Sequence, residues 1–145
     1  MTSRKILFKA KRIHDGKWVE GYPVPVRVNT YKKGYELIEV DGINYDELDY
    51  YSPSYFSQEI DPTTLSQFTG LKDMNGTKIF ENDIVYIPAE DGYFHLHWEE
   101  DSARFIMENY EDGFSVDFDN YWSNEIEVYG NIFDNRELIF SDEMD

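Results

Sequence analysis

His95 and His97 stand at alternate positions of a stretch whose other residues alternate apolar, and this pair is the first place to look for chemistry. Residues two apart on a strand project from one face, so both imidazoles would emerge together with a spacing that some metal sites use. A metal needs at least a third ligand. The carboxylates nearest in sequence, Glu99, Asp117 and Asp119, come from a chain rich in them and carry little specificity. The plainer expectation is a pair of solvent-facing sheet histidines, with His14 a surface residue beside a turn. Asp73, Glu81 and Asp83 fall in turns, where a carboxylate ordinarily accepts from its own backbone. Asp73, Asn75 and Glu81 lack the full ladder of oxygen ligands that a calcium loop requires. With no cysteine, thiolate metal sites, cysteine nucleophiles and disulfides are excluded. There is no nucleophile elbow, no phosphate-cradling glycine loop and no dinucleotide fingerprint. The expectation is a protein that is not an enzyme, with no catalytic residues, no metal and no cofactor.

The elements that would position these residues read as short strands. Lys5 to Ile13 alternates, with Ile6, Phe8 and Ala10 on one face. Asp15-Gly16 is a hairpin signal, and Lys17 to Tyr22 returns with Trp18 as its large apolar residue. Val24, Val26 and Val28 surround Pro25, which confines that strand to an edge or to a place needing no ladder donor. Tyr35 to Val40 is a third strand, closed by Asp41-Gly42. Tyr45 to Ser57 mixes aromatic and acidic residues without a period and reads as an irregular connection. From Ile84 onward, strands are expected over Ile84 to Ile87, Tyr93 to Trp98, Arg104 to Tyr110, Phe114 to Phe118 and Glu125 to Ile132. Alternation points inward Phe94, Leu96 and Trp98; Phe114, Val116 and Phe118; and Ile126 and Val128. Five short strands with glycine corners point to a small closed antiparallel barrel, because curling removes the edges.

The block from Ile60 to Val85 organises the rest. Asp61-Pro62 is a helix-start signal, predicting one short helix near 62–68 that Gly70 ends. Asp73-Met74-Asn75-Gly76 and Glu81-Asn82-Asp83 are tight turns. Ile-Asp-Pro-x-Thr-x-x-Gln-Phe-Thr-Gly-Leu-x-Asp-x-Asn-Gly, then Ile-Phe-Glu-x-Asp-Ile-Val, and finally Val128-Tyr129-Gly130-Asn131-Ile132-Phe133 resemble the YopX family of bacteriophages and prophages. The resemblance runs from about Ile6 to Leu138. It departs at Asn82, where the family usually has glycine, and Asn tolerates the left-handed region well enough to keep the turn. The resemblance implies a mostly β fold: a small Src-homology-three-like barrel in the C-terminal half plus an N-terminal β lobe. It implies a phage context and no particular activity. The expected organisation is an N-terminal β lobe over 1–59, a junction block over 60–83, the barrel over 84–140 and a frayed acidic tail over 141–145. Asp61, Pro62, Gln67, Thr69, Gly70, Asp73, Gly76 and Asp83 are expected to build the junction, with Gln67 and Thr69 buried and bonded to backbone.

Charge shapes the partner expectation. The 145 residues carry a net −17, yet residues 1–33 hold nine basic side chains against Asp15 and Glu20. A hydrophobic share of 41% argues against disorder despite that charge. A basic first quarter and an acidic remainder can neutralise each other within a subunit or between neighbours. The leading expectation is a non-catalytic interaction or assembly module that binds itself, as a homo-oligomer, or a phage or host protein. The alternative is an acidic mimic of nucleic acid, or an inhibitor, that occupies a basic host surface through Glu99, Asp117, Asp119, Glu125 and Glu127. Direct nucleic-acid binding is disfavoured, since most of the chain would repel phosphates. No run has the length of a membrane span or a signal peptide, so the expected compartment is the bacterial cytoplasm.

Overall fold

The computed structural model describes residues 5–27, 33–38 and 57–140. The connection expected over 45–57, apart from Ser57, and the tail at 141–145 lie outside the described residues, as do Val28 and the turn at 41–42. Among the described residues the fold is mostly β, with two antiparallel sheets and only short 3-10 turns for helix. The chain divides into two compact units, Ser3–Gln67 and Phe68–Asp145.

In the first unit β1 (Phe8–Arg12) pairs with β2 (Trp18–Arg27) across the Asp15-Gly16 turn. Gly16 takes φ 69°, the left-handed region that the turn needs. β2 then pairs with β3 (Lys33–Ile38) through Tyr22 to Arg27, the half that contains both prolines and has this one neighbour. β3 pairs with the start of β4 (Ser57–Lys72), which also pairs with β1, so the ladders of this unit form a closed circuit. Ala10 and Ile60 are its buried centre, with Phe8, Val19 and Leu65 packed around them. Trp18 is half-buried, lying under the ammonium groups of Lys9 and Lys11 at 4.6 and 5.5 Å.

The helix expected at 62–68 does not form; that stretch belongs to β4. Asp61 does capture backbone donors, since its Oδ1 accepts the Thr63 N–H at 3.0 Å and the Thr63 hydroxyl at 2.7 Å. The consequence is a bulge. Pairing steps from Lys11 to Lys9 along β1 but from Asp61 to Ser66 along β4. Lys11 N–H, left without a ladder acceptor, donates to Thr64 Oγ1 at 2.9 Å. Strand pairing on both sides of the turn, together with the β-branched pair Thr63-Thr64, outweighs a start signal that lacks an apolar helical face to follow it.

In the second unit the end of β4 pairs with β5 (Lys78–Phe80), placing Phe68 opposite Phe80 with ring centroids 5.4 Å apart. The other strands are β6 (Asp83–Ile87), β7 (Gly92–Glu99), β8 (Arg104–Glu108), β9 (Ser115–Asp117) and β10 (Glu127–Asn131), ordered β10-β6-β7-β8-β9. Ile79, Val85, Ile87, Phe94, Leu96, Met107 and Ile126 form the core. Full burial of Phe94 alone contributes about 2 to 3 kcal/mol. The alternation expected along β7 is correct for Phe94 and Leu96 and fails at its end. Trp98 is 41% exposed, lying edge-on to Phe105 where the strand leaves the core. Phe114 is 43% exposed because β9 begins only at Ser115, so Phe114 belongs to the turn. Val116, Phe118 and Val128 pack half-buried on the core.

Candidate functional site

The face of β7 opposite the core carries His95 and His97, whose rings lie 4.9 Å apart. They are not the solvent-facing pair that alternation suggests. Both are half-buried, and the chain after β10 folds back beside His95. Asn131 starts that return: its Oδ1 accepts from Phe133 and Asp134 N–H, both at 2.9 Å. A 3-10 turn, Arg136–Leu138, then brings Phe140 flat against Tyr110, with centroids 4.9 Å apart and planes at 23°. A side chain at Gly130 would put its Cβ 2.2 Å from Asn135 Oδ1, so any larger residue there must displace the Asn135 side chain.

His95 is fixed at both nitrogens. Its Nε2 donates to Asn82 Oδ1 at 3.2 Å, and its Nδ1 accepts from the Tyr110 hydroxyl at 2.8 Å. Burial, then the charge of His97, push its pKa down to about 4. Burial, then the charge of Glu108, push Tyr110 up to about 12. His97 Nε2 is buried without a hydrogen bond, 3.8 Å from Glu108 Oε1. His97, His95, Tyr110, Phe140 and Arg136 follow one another as planar groups, the guanidinium 4.8 Å from the Phe140 ring centre. Beside them lies a cavity of about 460 Å³, lined by His95, Tyr110, Ile132, Phe133, Arg136 and Phe140. Among the described residues no group of three or more His, Cys, Asp or Glu is placed to hold a metal ion.

The residues expected at a junction fall on both sides of the division between units. Asp61 holds its bulge, and Pro62 is exposed on it. Gln67 is half-buried opposite Phe8. Thr69, also half-buried, donates to Ile79 O at 2.8 Å. Gly70 and Gly76 take φ 94° and 82°. Asp73 reaches furthest: Oδ1 accepts from Asn75 and Thr77 N–H at 2.9 and 2.8 Å, and Oδ2 accepts from Val128 N–H at 2.8 Å. It thereby ties its turn to the start of β10. Asp83, 1% exposed, accepts from Phe80 N–H at 2.8 Å. Asn82 adopts φ 71°, as the substitution for glycine requires.

The acidic residues of the expected interaction surface do not gather into one bare patch. Glu99 and Asp117 share Arg104, at 3.6 and 3.0 Å. Glu127 accepts from Asn75 Nδ2 at 3.0 Å, and Asp119 is exposed. Glu125 accepts from Trp122 N–H at 2.8 Å and so fixes a turn that presents Trp122, 79% exposed. Sequence reasoning missed Trp122, although Glu three residues after it is a capping signal. It also missed Tyr110, Asn82, Arg136 and Phe140 as neighbours of His95, because contacts across 13 to 45 residues leave no local pattern.

No curated protein matches the chain. The family described as YopX protein matches residues 8–140, nearly all of the sequence. The central turn signatures and the Asn82 conformation therefore sit within a family-wide match, and the chain belongs to the YopX family.

Proposed function

We propose that this protein is a non-catalytic interaction and assembly module whose docking residue is Trp122. The observation that carries this reading is an indole 79% exposed on a backbone that is itself clamped. Trp122 lies between the 3-10 turns Phe118–Asn120 and Ser123–Glu125, its N–H is held by Glu125, and its C=O accepts from Glu125 N–H at 2.9 Å. A rigid exposed tryptophan loses little entropy on docking and is the residue type richest in interface hot spots. The surroundings select a basic partner. Asp119 and Glu125 flank the indole in sequence, and residues 68–140 carry seventeen acidic side chains against four basic ones. The state of the His95 and Tyr110 pair supports the same reading. His95 near 4 and Tyr110 near 12 have both moved away from neutral pH, opposite to what proton transfer at neutral pH needs.

The partner is a phage or host protein in the bacterial cytoplasm, and further copies of the chain join the assembly through the basic segment 1–33. The second unit closes as a small Src-homology-three-like barrel; the order β10-β6-β7-β8-β9, with 3-10 turns between β9 and β10, supports this. Among the described residues no helix is long and apolar enough to cross a membrane, which is compatible with this setting. The same acidic excess favours a second reading, in which the protein occupies a basic surface meant for nucleic acid. The engagement of Glu99 and Asp117 by Arg104 weakens it.

Affinity purification from lysogenic cells tests the reading. The wild-type chain is expected to retain a basic protein that high salt releases and that Trp122→Ala does not retain. Identical sets of retained proteins for the two chains would contradict it. Light scattering tests the assembly: its mass should fall between low and high salt, and a mass independent of salt would remove the charge-held oligomer.

A further inference from the structure

We propose that the outer face shared by β6, β7 and β10 docks an arginine side chain of a partner protein on three tyrosines, Tyr86, Tyr93 and Tyr129. Tyr86 and Tyr93 are direct cross-strand partners, and they alternate with Val85, Ile87 and Phe94, which belong to the core. Tyr129 reaches the same face through a break in register. Val128 lies opposite Val85 and Gly130 opposite Ile84, so Tyr129 is the extra residue of a bulge, a device that re-aims a side chain. Its ring centre lies 5.8 Å from that of Tyr86 and 5.3 Å from that of Tyr93, while those two are 5.3 Å apart. The result is a contiguous aromatic surface on which Tyr129 stays 47% exposed, and tyrosine is a residue type enriched in protein interfaces. Of the three hydroxyls, that of Tyr86 is bonded to Asp91; those of Tyr93 and Tyr129 meet no partner among the described residues and are open to a backbone carbonyl of an incoming segment.

Charge complementarity selects the occupant. Glu127 stands directly opposite Tyr86 in register, and Asp91 holds the Tyr86 hydroxyl, so two carboxylates border the rings. Each spends one oxygen on a neutral donor, Asp91 Oδ1 on Tyr86 and Glu127 Oε1 on Asn75 Nδ2, and among the described residues neither meets a cation. The second oxygen of each keeps its acceptor sites. Tyrosine faces attract any cation, but a guanidinium also stacks flat on a ring while its fork reaches a carboxylate, and an ammonium cannot. Ring faces beside open carboxylates therefore favour arginine over lysine and over an uncharged side chain. No residue of this face belongs to the turns that present Trp122.

Three tripeptides blocked at both ends, Gly-Arg-Gly, Gly-Lys-Gly and Gly-citrulline-Gly, test this on the full-length, isotope-labelled chain at pH 7 and low salt. Nuclear magnetic resonance titration should show the arginine peptide shifting the ring signals of Tyr86, Tyr93 and Tyr129 and the amides of Asp91 and Glu127 together, saturating at about millimolar concentration. The lysine and citrulline peptides should bind there about threefold more weakly, the discrimination that one exposed ion pair or ring contact provides. Tyr129→Ala should weaken the arginine peptide about threefold, as should Glu127→Gln, which keeps an acceptor for Asn75. The Trp122 indole signal should stay in place. Shifts that are absent, or centred elsewhere, would overturn the site; shifts confined to the Trp122 indole would overturn it while leaving the docking role of that residue standing. Citrulline or lysine matching arginine would overturn the arginine preference. Changes at the same signals on diluting the protein alone would give the face to a second copy and overturn the partner, and the wild-type titrations decide all of this without relying on a variant.

Discussion

The two sides of the second unit that carry unusual side chains are built on opposite plans. In the first region His95 and Tyr110 face inward: they are hydrogen-bonded to each other, covered by the return of the chain after β10, and moved away from neutral pH. At Trp122 the side chain faces outward and only the backbone is held. Polar chemistry is spent on structure in the first region, and apolar surface is left unspent in the second. The difference teaches that residue type is a poor guide to placement here: a histidine pair is covered and a tryptophan is exposed. His95 invites a chemical reading in sequence and is locked in place; Trp122, which that reading passed over, is bare.

The largest expected effect is on the closed region. His95 titrates near 4 when folded and near its ordinary 6.5 when unfolded. Between those values the unfolded chain takes up a proton that the folded chain refuses, so stability falls as pH drops through that window. Complete protonation of the unfolded state costs on the order of 3 kcal/mol, and His95→Gln should flatten that part of the wild-type curve in chemical denaturation. Parallel curves for the two proteins would show that His95 is not buried as described. Next comes the open region. Trp122→Ala should weaken partner binding about thirtyfold, near 2 kcal/mol, while unfolding stays within about 0.5 kcal/mol of wild type. A large loss of stability instead would make Trp122 a packing residue and erase the comparison.

Smaller changes sharpen the contrast. Gly130→Ala forces a Cβ against Asn135 and should destabilise the chain by about 1.5 kcal/mol. Because that shift loosens the cover over His95, the histidine should titrate closer to 6.5, which its ring proton resonances report. Glu125→Ala removes the acceptor of Trp122 N–H, costs about 1 kcal/mol, and should weaken binding about threefold by letting the indole move. A fully retained affinity would mean that the clamp is irrelevant to docking.

Much of the fold was legible wherever one rule acted alone. Alternation placed Phe94 and Leu96 in the core, and the left-handed tolerance of asparagine explained Asn82. The reading failed where two rules competed. Asp61-Pro62 gave the expected side-chain bond to backbone, but pairing with β1 continued past it and turned a helix start into a bulge. Trp98 and Phe114 are aromatic by type yet lie where strands end, and alternation says nothing about where a strand leaves its core. The site was the least legible. The half-burial of His95 depends on Tyr110 and Phe140, 15 and 45 residues away, and Glu99 and Asp117 count as free acids until Arg104 is seen between them.

Site-specific photo-crosslinking in lysogenic cells tests the central claim most directly, with a photoreactive phenylalanine analogue installed in turn at Trp122 and at the exposed Glu111 of the same unit. A discrete covalent adduct from position 122 and none from position 111 is the predicted result. An adduct from position 111 with none from position 122 would contradict it.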